Sequence, residues 1–305
     1  MRHLIAGFLV LALFPLYGES DLIRELGVHL SHYGYGATRV NNSADNNQSV
    51  LVEINGRKVS LTVDTGSGQT CLTYQCAREL KLDVVLSKRE VSGVGGLVKG
   101  QSGVALVKSF TLNGYELNRT NLIEVLSKSA RSSRGEDGLL GYDFLHLNAV
   151  ILPIGARILL FKPGNGAVAG IKPYMEALGF KSIPLYHDRS GLKIEGRMNG
   201  HPFAAIVDSG AEFSTFDLDY VTKVAEAAVT SNSIGMRGID GRESDVYGFT
   251  PKQLSLGGIT IKPGMLGACR TAIFTKEKFN ALIGYDILLR HEAIIDLGHD
   301  VLWMK

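Results

Sequence analysis

The chain has 305 residues, of which 45% are hydrophobic and 20% are charged. This length and apolar content suffice for two cores of ordinary domain size and exclude a disordered chain. The formal net charge is +2, with Lys and Arg scattered among the acids, so the sequence does not resemble a nucleic-acid-binding protein.

The N-terminal segment has the pattern of a secretory signal peptide. Basic Arg2 and His3 precede an apolar run over residues 4–17, and small residues follow at alternate positions. The run is shorter than the roughly 20 apolar residues that a membrane-spanning helix needs. We therefore expect cleavage after Ser20, removal of residues 1–20, export to the periplasm or the exterior, and no stable membrane insertion.

The cysteine content leaves two interpretations open. Three cysteines cannot form a fully paired disulfide framework. Cys71 and Cys76 could close a small loop, whereas buried free thiols at these positions and at Cys269 are at least as consistent with the sequence.

An internal repeat organises the chain around two aspartates. Asp64 lies in "LTVDTGSGQT" (61–70) and Asp208 in "AAIVDSGAEFS" (204–214), each after a run of β-forming residues. An Asn-Gly pair stands nine residues before each aspartate, at 55–56 and 199–200. Asn-Gly between alternating apolar runs is a strong hairpin signal, so each aspartate is predicted to end the second strand of a hairpin.

The repeat continues downstream with nearly equal spacing. Gly114 and Gly258 each lie 50 residues after their aspartate, and "GLLGYDFL" (138–145) corresponds to "ALIGYDIL" (281–288). This repeat predicts two homologous lobes. We place them at residues 21–163 and 172–305, joined by a linker at 164–171.

Both lobes are predicted to be mainly β with few helices. Two segments favour helices, "TYQCARELKL" (73–82) and "DYVTKVAEAAV" (219–229). The lobes begin with "LIRELGVHLS" (22–31) and "YMEALGFKSIPL" (174–185), each of which we interpret as a short helix that ends at glycine and is followed by a strand.

Two carboxylates on equivalent turns point to acid–base chemistry. Pseudo-twofold symmetry would bring Asp64 and Asp208 together on the axis. Two carboxyls a few ångströms apart cannot both ionise cheaply, so they share a proton. The ionised member can then take a proton from water while the other polarises a carbonyl, which hydrolyses an amide without a covalent intermediate. The alternative for each aspartate alone is an ordinary turn.

The neighbours of the aspartates suit this arrangement. Gly66 and Gly210 permit a tight turn and close approach to the opposite lobe. Thr65 and Ser209 can hydrogen-bond across the lobe junction, although turn capping is their simpler role.

The repeated "LLG" and "LIG" segments are predicted to be buried strands. Their glycines, Gly141 and Gly284, would let another backbone pass close by. Asp143 and Asp286, just beyond them, are best interpreted as helix N-caps.

These motifs resemble a known family. Residues 64–67 (Asp-Thr-Gly-Ser) and 208–211 (Asp-Ser-Gly-Ala), each followed by an apolar-apolar-Gly strand, resemble the active-site loops of the aspartic proteases. The short lobes, "GVGG" (93–96) and "GLLGYDFL" resemble the retropepsin-like domains duplicated in exported bacterial proteins more than pepsin. The resemblance implies an all-β acid-protease fold of two tandem β-barrel lobes with few short helices, and Asp64 and Asp208 as the catalytic pair.

The same resemblance implies a protein or peptide substrate and a monomer whose lobes form an intramolecular pseudo-dimer. It also indicates two glycine-rich flaps over the cleft. Their residues are Gly93, Val94, Gly95 and Gly96 in the first lobe and Gly235, Met236 and Gly238 in the second. Without the resemblance these would be plain glycine-rich loops.

The Asp64 loop has one hydroxyl that the Asp208 loop lacks. Ser67 follows the first glycine, whereas Ala211 follows the second. We hypothesise that the Ser67 hydroxyl stabilises ionised Asp64, which would leave Asp208 as the proton carrier.

Two other function classes fit less well. The eight histidines are scattered with no H-E-x-x-H spacing, so no metal or other cofactor is expected. A catalytically silent protein that binds peptides on the same scaffold is the remaining alternative to an enzyme.

Overall fold

The fold is that of a computed structural model. It describes residues 21–42, 48–87, 92–93, 96–97, 102–117, 122–128, 136–163, 170–188, 191–224, 229–230, 233–237, 243–262, 264–271, 273–274 and 279–305. The predicted signal peptide and residues 164–169 of the predicted linker lie outside these ranges.

Short helices connect the strands. Those with described bounds are α1 (Asp21–Ser31), α2 (Tyr74–Glu79), α3 (Tyr142–Leu147), α4 (Lys172–Ala177), α5 (Leu218–Val224) and α6 (Tyr285–Arg290). Helices α2 and α5 confirm the two strongest helix predictions.

Strands make up most of the first half. They are β1 (Gly36–Arg39), β2 (Asn41–Asn42), β3 (Gln48–Ile54), β4 (Arg57–Val63), β5 (Cys71–Leu72), β6 (Val84–Leu86), β7 (Ser92–Gly93), β8 (Gly96–Leu97), β9 (Gly103–Leu106), β10 (Phe110–Leu112), β11 (Tyr115–Glu116), β12 (Leu122–Val125), β13 (Gly138–Leu140), β14 (Ile151–Pro153) and β15 (Ile158–Phe161).

Strands likewise make up most of the second half. They are β16 (Lys181–Pro184), β17 (Tyr186–Asp188), β18 (Gly191–Met198), β19 (His201–Val207), β20 (Thr215–Asp217), β21 (Ser233–Arg237), β22 (Glu243–Phe249), β23 (Leu254–Leu256), β24 (Ile259–Thr260), β25 (Leu266–Cys269), β26 (Ala281–Ile283), β27 (Ile294–Asp296) and β28 (Val301–Met304).

The two halves have the same sheet topology. The described residues of the first half form a ten-stranded sheet in the order β11-β10-β3-β4-β13-β5-β12-β9-β6, with β2 beside β3. The second half repeats it as β24-β23-β18-β19-β26-β20-β25-β22-β21, with β17 beside β18. The sequence repeat is therefore a structural repeat, strand for strand.

A third sheet joins the halves. Its six strands run β1-β15-β14-β27-β28-β16, so each half contributes three. The two sets meet where β14 pairs antiparallel with β27, with Ile151 opposite Asp296 and Pro153 opposite Ile294. Helices α1 and α4 pack on this sheet through buried apolar side chains such as Leu26, Leu30 and Met175. The halves therefore share a core and a continuous sheet.

The hairpins before the two aspartates form as predicted. Asn55 and Asn199 have φ of 51° and 48°, and the glycines that follow them have φ of 76° and 84°. Two successive residues with positive φ are what a tight two-residue hairpin requires. These turns fix the register of β3 with β4 and of β18 with β19, and so place each aspartate at the end of the second strand.

One helix prediction at the start of the lobes is wrong. Gly27 does not end the first helix, because α1 continues through it to Ser31 and buries it. A glycine whose neighbours Ile23, Leu26 and Leu30 form an apolar helical stripe stays helical, since packing outweighs the roughly 1 kcal/mol propensity cost. The counterpart Gly179, with φ of 84°, does follow the end of α4.

The remaining expectations at this level concern cysteines and membranes. Cys71, Cys76 and Cys269 are free and buried, so the disulfide alternative is not adopted. In the part of the chain described, no helix has the length and apolar character needed to cross a membrane.

Candidate active site

Each aspartate sits at the end of a parallel strand pair. Strand β4 runs parallel to β13, and the Asp64 N–H donates to Leu140 O at 3.0 Å. Strand β19 runs parallel to β26, and the Asp208 N–H donates to Ile283 O, also at 3.0 Å. Backbone hydrogen bonds of equal length thus hold the two carboxyl-bearing loops in the same local geometry.

The structure brings the two carboxyls together. The glycine of each loop faces the carboxyl of the other loop. A Cβ built on Gly66 would lie 2.4 Å from Asp208 Cγ, and one on Gly210 would lie 2.8 Å from Asp64 Cγ. No side chain fits at either position, so the glycines allow the carboxyls to meet.

The hydroxyls of Thr65 and Ser209 bridge the halves reciprocally. Thr65 Oγ1 donates to Val207 O at 2.8 Å and accepts from the Ser209 N–H at 3.0 Å. Ser209 Oγ donates to Val63 O at 2.9 Å and accepts from the Thr65 N–H at 3.1 Å. Both side chains are fully buried, so all four bonds form without competition from water. The observed contacts are cross-half bonds rather than turn caps.

Backbone amides also orient each carboxyl. The Ser67 N–H donates to Asp64 Oδ1 at 2.9 Å, and the N–H groups of Gly210 and Ala211 donate to Asp208 Oδ1 at 2.9 and 3.1 Å. The Ser67 hydroxyl instead donates to Gln69 O at 2.8 Å. The physical basis of the Ser67 hypothesis is therefore wrong, because the hydroxyl bonds to the backbone two residues on.

Burial raises the pKa of both acids. Burial raises the pKa of Asp64 above its usual range, opposed by the backbone N–H of Ser67. The pKa of Asp208 is raised well above that range, first by burial and then by the negative charge of Asp64. Two buried carboxyls coupled in this way hold a single proton between them.

Two further carboxyls anchor the loops that carry Asp64 and Asp208. Asp143 Oδ1 accepts from Thr70 N and Oγ1, both at 2.7 Å. Asp286 Oδ1 accepts from Ser214 N at 2.8 Å and Oγ at 2.6 Å. The N-cap prediction for these acids is wrong, since the caps of α3 and α6 are glycines and the acids lie in the first helical turn.

Sequence reasoning missed Thr70 and Ser214 as anchors. Their hydroxyls also accept from the N–H groups of Gly141 and Gly284, at 3.0 and 2.9 Å. Thr70 and Ser214 each lie six residues after their aspartate. The hydroxyl repeated at this offset is the sequence feature that could have identified them as anchors.

Gly141 and Gly284, which end the repeated Leu-Leu-Gly and Leu-Ile-Gly segments, allow close backbone packing, as the sequence indicated. A Cβ on Gly141 would lie 2.4 Å from Gln69 C, and one on Gly284 would lie 2.8 Å from Phe213 C. The catalytic loops thus lie directly on these strand ends.

The predicted flap segments are described only in part. Gly93 pairs with Gly96 in the β7–β8 hairpin, and Gly235 and Met236 lie in β21, which pairs with β22. Val94, Gly95 and Gly238 lie outside the described residues. Each described flap residue thus lies in an antiparallel strand pair. That these segments close over the cleft stays a prediction.

A metal centre finds no support in the described ranges. Over those residues, no group of three or more His, Cys, Asp or Glu side chains is placed to hold a metal ion. The carboxyls at the junction accept hydrogen bonds from backbone amides.

Comparisons with known proteins match part of this chain by sequence. Residues 50–144 match the family described as aspartyl protease. The chain is 32% identical over 115 residues to Protein DDI1 homolog 2 of Mus musculus and 31% identical to Protein DDI1 homolog 1 of Rattus norvegicus. Each alignment covers 36% of this chain and 27% or 26% of the relative. The matched part is thus about a quarter of the length of these relatives.

A solved structure matches more of the chain. The aspartic proteinase from Irpex lacteus superimposes with a TM-score of 0.53, covering 88% of this chain and 96% of that protein at 15% identity. At this identity the likeness shows the fold, which is the all-β acid-protease fold. The similarity is thus to the aspartyl protease family over residues 50–144 and to the fold of an aspartic proteinase over most of the chain.

Proposed function

We propose that this chain is an aspartic endopeptidase that hydrolyses peptide bonds with water activated between Asp64 and Asp208. One observation carries the proposal: the glycine of each aspartate loop faces the carboxyl of the other loop, while Thr65 and Ser209 hydrogen-bond the two loops together. This is the arrangement that general acid–base hydrolysis needs, with one ionised and one protonated acid.

In the proposed chemistry, Asp208 carries the shared proton and Asp64 is ionised. Ionised Asp64 takes a proton from a bound water, whose oxygen attacks the carbonyl carbon of the substrate. Asp208 donates its proton to the carbonyl oxygen, which gives a neutral tetrahedral diol. When the C–N bond breaks, Asp64 passes its proton to the leaving nitrogen, and one hydroxyl of the diol returns a proton to Asp208 as the new carboxyl group forms. The products are an amine and a carboxylic acid, and the dyad is left with its single proton on Asp208.

The rigid junction matches this mechanism. Both acids must reach the water and the carbonyl at once, and misplacement of catalytic groups by about 1 Å can cost about a hundredfold in rate. The buried cross-half bonds hold the loops to each other, and the Asp143 and Asp286 anchors hold each loop to its own half.

Cleavage of an unstructured protein between about pH 3 and about pH 8 tests the proposal, because the pair must hold one proton to act. Asp64→Asn and Asp208→Asn should each reduce kcat at least about a hundredfold while the fold is retained. Asp83→Asn, an exposed carboxylate outside both loops, is the matched control and should retain activity.

Three results would count against the proposal in different ways. Activity that survives both substitutions would mean that the dyad assignment is wrong. A wild-type chain that binds peptides without cutting them at any pH would favour the catalytically silent peptide-binding protein. A wild-type chain that neither cuts nor binds peptides would contradict both the peptidase function and the peptide-binding alternative.

We also propose that the peptidase is exported to the periplasm or secreted, as a monomer. The support for export is the basic, then apolar, then small-residue order of residues 1–20. Expression of the full chain followed by N-terminal sequencing tests it: a mature chain outside the cytoplasm that begins at Asp21 is expected, and an intact cytoplasmic chain would refute export.

A further inference from the structure

The backbone of Tyr142, the residue after Gly141, supports the loop of Asp64. The Tyr142 N–H donates to Ser67 O at 2.8 Å, and the Ser67 N–H donates to Asp64 Oδ1 at 2.9 Å. Two successive hydrogen bonds therefore connect the start of α3 to one carboxyl of the dyad. A displacement of Tyr142 must move this loop or break the first of these bonds.

The ring of Tyr142 contacts the other half of the chain. It stacks on the ring of His187, with centroids 3.9 Å apart and an angle of 4° between the planes. Tyr142 is buried whereas His187 is exposed, so the imidazole is the outer layer of the stack. An aromatic pair contributes more than its buried area alone. Tyr142 therefore touches the Asp64 loop through its backbone and the second half through its ring.

The short strand that carries His187 is itself held in place. In β17, His187 lies opposite Leu192 of β18. The next residue, Asp188, accepts from Lys193 Nζ at 2.6 Å, and the side chain of Lys193 is 7% exposed. A buried ammonium group that loses its partner is costly, so this ion pair keeps β17 beside β18. His187 is thus presented to Tyr142 from a fixed strand.

A second histidine links the same helix to the second half. His146, one turn after Tyr142 in α3, stacks on the Tyr142 ring with centroids 5.1 Å apart. Its Nδ1 lies 2.9 Å from Leu297 O and 3.5 Å from Asp300 Oδ1, both in the turn between β27 and β28. Two imidazole rings therefore stack on Tyr142, one from each half.

The equivalent tyrosine of the second half has different surroundings. The Tyr285 N–H donates to Ala211 O at 2.8 Å, so its backbone supports the Asp208 loop in the same way. Four residues after it, where the first half has a histidine, is Leu289. A Cβ built on Gly155 would lie 2.4 Å from Leu289 Cδ1 and 3.7 Å from the Tyr285 hydroxyl. The two loops thus share a backbone support, and the side chains around that support differ.

We propose that His187 is a positioning residue that acts on Asp64 from the other half of the chain. Its ring holds Tyr142, and the backbones of Tyr142 and Ser67 then keep the Asp64 carboxyl where it can take a proton from water. This inference rests on the proposed peptidase function. The role requires a flat ring at position 187 and no titratable group, so another aromatic residue can replace the imidazole.

Steady-state cleavage of one peptide that the wild type cuts tests this role. His187→Ala should lower kcat about fivefold, the size expected for loss of one aromatic pair. KM should stay within about twofold of the wild type, because the position of Asp64 serves the chemical step. His187→Phe keeps a ring against Tyr142 and should restore most of the kcat.

The matched control is His201→Ala, which removes another exposed histidine of the second half, at the opposite end of β19 from Asp208. Its kcat and KM should equal those of the wild type. An unchanged kcat for His187→Ala, or a loss that His187→Phe does not restore, would overturn the inference. Cleavage by the wild type would leave the peptidase proposal standing in either case.

Amide hydrogen exchange keeps the inference testable if no cleavage is seen. In His187→Ala the amides of Tyr142 and Ser67 should exchange about fivefold faster than in the wild type, and in His187→Phe at nearly the wild-type rate. Amides of the Asp208 loop should keep their wild-type rates. Unchanged exchange at Tyr142 and Ser67, or equal acceleration in both loops, would overturn the inference independently of catalysis.

Discussion

Asp208 is held in a site that disfavours its ionised form. It is 9% exposed, faces Gly66 of the other half and lies beside the charge of Asp64, and its pKa is raised well above 3.8. In the unfolded chain the same carboxyl ionises near its usual pKa. Because the pKa of Asp208 is higher in the folded than in the unfolded chain, its contribution to the free energy of unfolding is fully present below the unfolded-state pKa. This contribution is lost as the pH rises through the folded-state pKa.

This linkage predicts that Asp208→Asn stabilises the protein at neutral pH. Asn is isosteric and its carbonyl still accepts from the N–H groups of Gly210 and Ala211. The gain in Tm over the wild type should be near zero at about pH 3, where the carboxyl is protonated in both states, and positive at about pH 7. Thermal unfolding followed against pH measures it.

The control for this prediction is Asp83→Asn, whose carboxylate is exposed. The difference in Tm between Asp83→Asn and the wild type should not rise with pH as the difference for Asp208→Asn does. A lower Tm for Asp208→Asn than for the wild type at about pH 7 would contradict the linkage argument.

Residue identity was the easiest feature to predict. The two aspartates, their glycines and the hydroxyls of Thr65 and Ser209 could be selected from sequence because their offsets repeat. The direction of the Ser67 hydroxyl could not, because a rotatable O–H bonds to whichever acceptor the folded loop places nearest, here Gln69 O.

The loop and the strand end that supports it act as one element. In each half a hydroxyl residue six positions after the aspartate bonds both to an acid and to a glycine N–H. The glycine must lack a Cβ because the loop backbone passes over it at contact distance. Loop position is therefore set by packing against the strand end as well as by the turn itself.

Gly141→Ala should consequently be strongly destabilising. Its Cβ would lie 2.4 Å from a backbone atom, Gln69 C, so the catalytic loop must move. We expect a loss of about 2–4 kcal/mol in the free energy of unfolding, together with loss of activity. Chemical denaturation with urea measures the stability.

The matched substitution is Gly170→Ala, where an added Cβ meets no atom within 4 Å. Its effect should stay within about 0.5 kcal/mol. Equal effects of the two substitutions would refute the packing argument for Gly141.

Element boundaries depended on tertiary contacts to different degrees. The Asn-Gly hairpins follow from local φ preferences and formed where predicted. Helix α1 runs through Gly27 because its apolar stripe packs on the shared sheet, a contact that involves β14, β15 and β28 from distant parts of the chain. Local propensity predicted a stop there, and long-range packing overrode it.

At the scale of the whole molecule, the junction between the halves has several independent contacts. The β14–β27 pairing makes one sheet of two halves, and the Thr65–Ser209 bonds cross beside the dyad. The ring of Tyr142 also stacks on that of His187 from the other half, with centroids 3.9 Å apart. Motion of one half relative to the other must therefore break buried hydrogen bonds and packing.

Thr65→Val tests the importance of the hydrogen bonds at this junction. Valine keeps the shape but removes the donor to Val207 O and the acceptor of the Ser209 N–H. Two buried polar groups lose their partner at about 1–3 kcal/mol each, so we expect a loss of about 2–5 kcal/mol in unfolding free energy and a lower kcat. Denaturant unfolding and steady-state cleavage measure the two effects.

Thr65→Ser is the matched control, because it keeps the hydroxyl and copies the residue that the other half uses. It should restore most of the stability and activity that valine removes. If serine is as harmful as valine, the methyl contact rather than the hydrogen bonds holds this part of the junction.

The sequence by itself determined the repeat, the mainly β halves, the hairpins and the residues of the dyad. These follow from local φ preferences, strand patterning and equal spacing, which are properties of short stretches of chain. Only the tertiary structure decided that the halves share one sheet, that Asp143 and Asp286 anchor loops rather than cap helices, and that the Ser67 hydroxyl bonds to Gln69 O rather than to Asp64. The first two depend on contacts between residues far apart in the chain, and the third on which acceptor the folded loop places nearest the hydroxyl, which spacing alone does not specify.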